Sequence, residues 1–281
     1  MVQDLEAQPV QAWYGTNLVG VPARVLGSTD FNANPRALYI AGTFSAHRTL
    51  FEVLDATGDL NEAHDMFSHY MTQTFGLRKP QPHELASLGA ADQRRWRSSW
   101  RKLLQGWGMD SNGPAGAVLK GWAESRFGLA PAFHRAPLTH FPSVAWVTYL
   151  QEKVSSRYHN NNIYLQLDLL YAFCQWALRR RTDASGRVPA HLRLWRGSNQ
   201  FEEQLLSGSL HARRCVVRLN NVVSFSLSEE DASCFGDWVM EVQVPVPKVL
   251  IFPDLLPGQV LQGEQEVLAL GGDYEVTARY A

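Results

Sequence analysis

Apolar positions recur at helical spacing through the first two thirds of the chain, then give way to short strand-like runs. Over Glu62–Phe75, Met66, Tyr70, Met71 and Phe75 share one helical face. Over Ala91–Trp107, Trp96, Trp100, Leu103, Leu104 and Trp107 form a stripe, with Arg94, Arg95, Arg97, Arg101 and Lys102 mostly elsewhere. That pattern predicts a solvated basic face over a core stripe, ended by Gly106, Gly108 and Gly113-Pro114. Ala115–Phe127 predicts a further helix stopped by Gly128. Asn160–Arg181 is the clearest of all. Leu165, Leu169, Phe173 and Trp176 line it, the Asn160 to Asn162 run offers an N-cap, and Arg179 to Arg181 suit its C-terminal dipole.

The period changes near Ser185-Gly186. Residues 192–195, 216–219, 222–226, 239–244, 249–252, 266–270 and 274–280 read as strands. Pro245, Pro247, Pro253, Pro257-Gly258 and Gly271-Gly272 between them read as turns. A helical front and a β-rich back predict an α+β fold, divided into a mainly helical region, 1–158, and a β-rich core, 159–281, which can also form one continuous domain.

Composition narrows the function. The chain has 281 residues, 45% apolar and 19% charged, ordinary for a globular protein. A formal net charge of −1 gives no global field toward nucleic acid or membrane. No apolar run is long enough for a transmembrane helix, and Met1–Val10 does not read as a signal peptide. Cys174, Cys215 and Cys234 are odd in number and widely spaced, matching neither a disulfide framework nor a zinc site. A cytoplasmic location without a bound metal is the expectation.

Candidate chemistry lies in three short pieces of the last third. In Leu194-Trp195-Arg196-Gly197, an Arg at the end of an apolar strand can grip a pyrophosphate, and Gly197 permits close approach of a ligand. In Ser224-Phe225-Ser226, both hydroxyls share one strand face, and Ser224 can hold a carboxylate in its working rotamer. In Glu264-Gln265-Glu266, the i and i+2 carboxylates can face one cleft. One can then hydrogen-bond a ribose hydroxyl and the other orient a nucleophile. Taken alone, a Glu-x-Glu is most often a solvated strand edge. Ser228 and Asp231 read as the cap of a short helix that packs Ala232 and Phe235 inward and ends at Gly236. The chain lacks G-x-G-x-x-G, P-loop, H-E-x-x-H and G-x-S-x-G motifs.

The ordered Arg, Ser-x-Ser and Glu-x-Glu series resembles the Arg-Ser-Glu class of mono-ADP-ribosyltransferases. The N-terminal half narrows this. Thr16 to Pro22, Ser28 to Asn32, Asn34 to Arg36 and Leu38 to Phe51 are similar to the dinitrogenase reductase ADP-ribosyltransferases of nitrogen-fixing bacteria. That resemblance implies NAD as co-substrate and transfer of ADP-ribose to an arginine of the nitrogenase iron protein. It also implies regulation by a PII-type signal protein. Arg196 and Gly197 would bind NAD, Ser224 would position the catalytic Glu266, and Glu264 would engage the acceptor. The loop 256–263 would recognise the acceptor, and the helical front would dock it. Phe235 and Trp238 are candidates to stack on nicotinamide, with core packing the alternative. Ser-Phe-Ser departs from the Ser-Thr-Ser of many members, at a position facing away from the pocket. Another protein target, or a non-enzymatic NAD-binding module, are the competing readings.

Overall fold

The computed structural model describes residues 17–79, 81–84, 87, 89, 97–158, 160–182, 186–199, 201–209, 213–255 and 265–280. Its helices are α1 (Ala23–Leu26), α2 (Thr29–Ala33), α3 (Thr43–Ala46), α4 (Arg48–Ala56), α5 (Leu60–Phe75), α6 (Trp100–Met109), α7 (Pro114–Phe127), α8 (Val144–Ser155), α9 (Asn161–Leu178), α10 (Phe201–Gln204) and α11 (Glu229–Ser233). Its strands are β1 (Phe133–His134), β2 (Ala136–Pro137), β3 (His191–Ser198), β4 (Leu205–Ser207), β5 (Arg214–Ser226), β6 (Trp238–Pro245), β7 (Val249–Ile251) and β8 (Glu266–Tyr280). The fold is α+β, with helices concentrated in the N-terminal part and the main sheet in the C-terminal part.

Local chemistry sets the helix ends. The Asn160 side chain accepts the Ile163 amide at 2.8 Å and starts α9. Gly76 and Gly128, at φ 63° and 73°, end α5 and α7 in the left-handed conformation. The Arg179 to Arg181 run does more than soothe a dipole. Arg179 Nε caps the Gln175 carbonyl, Arg180 pairs with Asp55 at 2.8 Å over the Trp176 ring, and Arg181 lies over Phe252. Leu165 departs from the predicted stripe and is 51% exposed, while its neighbour Gln166 turns inward to accept the Trp100 amide.

The six-stranded sheet is antiparallel, in the order β4-β5-β3-β6-β8-β7, and β5 also pairs with β8. The circuit β5–β8–β6–β3 thus closes on itself, with β3 and β5 meeting at Trp195 and Ser226. The strands predicted separately at 216–219 and 222–226 are one strand with a register shift between Leu219 and Val222. Those predicted at 266–270 and 274–280 are likewise one strand. Gly271-Gly272 is therefore not a turn. A Cβ on Gly271 would stand 1.6 Å from the Asn220 carbonyl, and Gly272, at φ 112°, presses on the Gly27 backbone. These glycines mark close backbone approach inside a strand.

One apolar cluster runs from Val21 to Ala278 and draws on both sides of residue 158. At its centre Phe67, Phe173 and Trp176 stack, with centroids 4.0 and 5.6 Å apart. Gln175 binds the main chain beside β7 through two bonds, to Val246 and Val249 carbonyls at 2.9 and 2.8 Å.

Two lysines are enclosed. Lys120 donates to the Asn112 and Phe133 oxygens, and Lys248 faces the Tyr274 ring at 4.8 Å. Burial pushes both amines down to about 7, partly opposed by Asp110 and Glu152 for Lys120 and by Asp273 for Lys248. Between pH 7 and 10 the unfolded chain then holds more protons than the folded one, so stability rises with pH across that window. Lys248→Met should reduce the slope of unfolding free energy against pH there. An unchanged slope in urea titrations would count against it.

Candidate active site

The β5–β8 register builds the site. Ser226 stands opposite Glu266 and Phe225 opposite Val267. Phe225 and Val267 are buried, so the alternation of the strand sends Ser224, Ser226 and Glu266 to the other face. Ser224 Oγ donates to Glu266 Oε1 at 2.5 Å. Arg196, from β3, donates through Nη1 to the Ser224 carbonyl at 2.8 Å. Its Nε is buried and has no partner among the described residues. Burial lowers the Arg196 guanidinium from its ordinary value, and the Glu266 carboxylate opposes that shift. Gln265, immediately before the carboxylate, adopts φ 62°, and its carbonyl accepts the Leu227 amide at 3.2 Å. A non-glycine residue in this region costs about 1 kcal/mol or more, and here it turns the chain into β8 at Glu266.

Arg196, Gly197, Ser224 and Glu266 are thus brought together from three strands. Glu264 and the loop 256–263 lie outside the described residues. Gly197 serves the fold directly, because a Cβ there would stand 2.1 Å from the Ala232 carbonyl and 3.1 Å from Gly236 N. Ser228 caps α11 by accepting the Asp231 amide at 3.2 Å, and Ala232 is buried, as predicted. Phe235 is not packed inward: it is 71% exposed, just past the end of α11 and beside Gly197. The helix is one turn long and its Cys234 cap directs the next side chain to solvent. Trp238, in contrast, is half-buried and stacks on Phe201 at 4.9 Å.

The residue that sequence reasoning placed elsewhere is Trp107. It belongs to the core stripe of α6 and is 4% exposed. Its Nε1 donates toward both Ser224 Oγ, at 3.2 Å, and Glu266 Oε1, at 3.3 Å. Periodicity shows that a Trp faces inward, and nothing in it shows that its indole meets a carboxylate 159 positions later.

A cleft of about 690 Å³ lies away from these residues, bordered by Asn32, His191, Arg214, Glu241 and Glu275. Neither Arg196, Ser224 nor Glu266 lines it. Among the described residues no group of three or more His, Cys, Asp or Glu is placed to hold a metal ion. No helix among them is long and apolar enough to cross a membrane.

An α+β fold whose sheet joins an Arg, a Ser and a Glu from separate strands has the pattern of the Arg-Ser-Glu ADP-ribosyltransferases. The family described as Dinitrogenase reductase ADP-ribosyltransferase (DRAT) matches residues 16–278, and the chain belongs to that family. It is 49% identical over 267 residues to the NAD(+)–dinitrogen-reductase ADP-D-ribosyltransferase of Rhodospirillum rubrum, covering 95% of each chain. No solved structure matches it.

Gly197→Ala should displace α11 and lower stability by roughly 1–3 kcal/mol, the usual cost of overpacking. Equilibrium unfolding in urea checks this, and a wild-type midpoint would show that the backbone contact yields freely.

Proposed function

We propose that this chain transfers ADP-ribose from NAD to an arginine of the nitrogenase iron protein. The observation that carries the reading is the Ser224–Glu266 hydrogen bond, with Arg196 bonded to the same serine residue. The family and the name of the R. rubrum relative support the donor and the acceptor protein.

In this reading Arg196 binds a phosphate of NAD or the adjoining ribose. Its buried, unpartnered Nε–H supports that role, since a charged donor enclosed without a partner gains most from an anionic ligand. The main chain at Gly197 receives the nicotinamide amide, and exposed Phe235 offers a face for the ring. Glu266 binds the nicotinamide ribose and stabilises positive charge as the bond from nicotinamide to the ribose breaks, the electron pair leaving with nicotinamide. A guanidinium nitrogen of the target then bonds to the same carbon and gives up a proton. Glu264 engages that guanidinium and receives the proton. The helical region, 1–158, docks the target. Within it Arg101 is half-buried, with its guanidinium over Trp100 and a bond to Ser68, so it is not part of a freely solvated basic face. Regulation by a PII-type signal protein and a cytoplasmic location complete the proposal. Three free cysteines, of which Cys174 and Cys215 are buried, fit a reducing compartment.

Intact mass of purified nitrogenase iron protein after incubation with this chain and NAD tests the assignment. One added ADP-ribose mapping to an arginine is expected. Glu266→Gln should lower the rate by about a hundredfold or more, as loss of a transition-state electrostatic contact does, while NAD still binds. Release of nicotinamide without added mass would keep the chemistry and remove this acceptor. Glu264→Gln should depress arginine transfer more than NAD hydrolysis, and equal loss of both would remove Glu264 from acceptor chemistry.

A further inference from the structure

We infer that Trp107 is a positioning residue for Glu266, so that the helical region completes the reaction centre of the sheet. The inference rests on the proposed role of Glu266 and extends it to a residue outside the Arg, Ser and Glu series.

Three observations carry it. First, the indole N–H and the Ser224 hydroxyl both donate to Glu266 Oε1, at 3.3 and 2.5 Å. Among the described residues Oε2 receives no hydrogen bond. One oxygen is therefore anchored and the other is left for a ligand hydroxyl. Second, the indole approaches Ser224 Oγ as well, so the three polar groups form a closed triangle. A carboxylate with two donors on one oxygen loses the rotation that a single bond to serine would allow. Third, α6 is seated to hold the ring in place. Gly106, one residue earlier, lies where a Cβ would be 2.6 Å from Ala115 Cβ, so α6 and α7 pack at backbone range. The Tyr158 hydroxyl bonds the Lys102 carbonyl in the preceding turn. Leu103 and Leu104 are fully buried beside it. Asn221, on the same strand as Ser224, donates to the Lys120 and Leu129 carbonyls at 2.8 Å each and so ties α7 to β5. The path from Ser224 through β5, α7 and α6 returns to Ser224 at Trp107.

A tryptophan serving only the core would lose nothing specific to chemistry when replaced by phenylalanine. Trp107→Phe keeps most of the buried ring and removes the one donor. Nicotinamide release from NAD without acceptor gives the rate, and equilibrium dialysis gives NAD affinity. The expected result is a kcat lowered roughly 10- to 100-fold, the range for one hydrogen bond to a charged group, with the Kd for NAD within about twofold of wild type. In the Glu266→Gln background the same substitution should add little, because the indole acts through that carboxylate. Wild-type or faster turnover in Trp107→Phe would overturn the inference, as would full additivity with Glu266→Gln. If Glu266→Gln itself turns over normally, the catalytic reading of Glu266 fails instead.

A second measurement holds even if Trp107→Phe does not fold. The Trp107 indole ¹H–¹⁵N resonance, assigned in the full chain, should shift in both Ser224→Ala and Glu266→Gln. An indole signal unmoved in both would overturn the proposed contact without any reference to activity.

Discussion

The β5–β8 pairing is the constraint on which the site depends. Residues on a strand alternate faces, so a slip of one residue would exchange Ser224 and Ser226 for Phe225. Burial of Phe225 and Val267 on the core side makes such a slip costly, since each apolar side chain of this size gains about 1.5–3 kcal/mol from burial. The register is pinned again at the crossover, where Gly271 meets the Asn220 carbonyl too closely for any side chain. The geometry of this polar cluster is thus enforced by apolar packing one residue out of phase with it.

The helices matter to the site through the same strand. Asn221 holds the middle of α7 by the Lys120 carbonyl and the segment just after it by the Leu129 carbonyl, and its own neighbour Asn220 accepts the Ala132 amide at 2.9 Å. The helical layer is therefore fastened to β5 only three residues from Ser224. With α6 pressed onto α7 at Gly106 and Ala115, the position of Trp107 is determined by contacts that begin and end on one strand. Rigid support of this kind is what a short-range polar constellation requires, because hydrogen bonds weaken steeply once donor and acceptor fall out of line.

Much of this was legible in the residues themselves. The 3.6-residue stripes located α5, much of α6 and α9, Gly128 marked the end of α7, and the β-branched and aromatic runs located β3, β5, β6 and β8. The order of Arg196, Ser224 and Glu266 marked residues that the sheet brings together. Three features escaped for separable reasons. Gly271-Gly272 carries the composition of a turn, yet the same composition answers the need for close backbone approach, and only the partner at Asn220 distinguishes the two. Phe235 was assigned inward by helical phase, but α11 ends at Ser233 and phase no longer governs the next side chain. Trp107 had the right phase and an incomplete role. Periodicity reports which face is buried, and it is silent about what polar group a buried indole meets.

Electrostatics explains why these pieces sit together. A half-buried Arg196 whose Nε is enclosed without a partner is costly, because desolvation of a charge is recovered only through a counter-charge or hydrogen bonds. Glu266 supplies part of the compensation, and the Ser224 carbonyl supplies one bond. The remaining deficit points to an anionic ligand, and binding it would satisfy the Nε–H that the folded chain leaves unmet. Glu266 itself makes no hydrogen bond to that Nε, and its Oε1 accepts from Ser224 and Trp107. One carboxylate oxygen is thus held, while the arginine keeps an unmet donor at Nε. The two opposite charges remain neighbours, and the hydrogen bonds at Glu266 join the sheet to the last turn of α6.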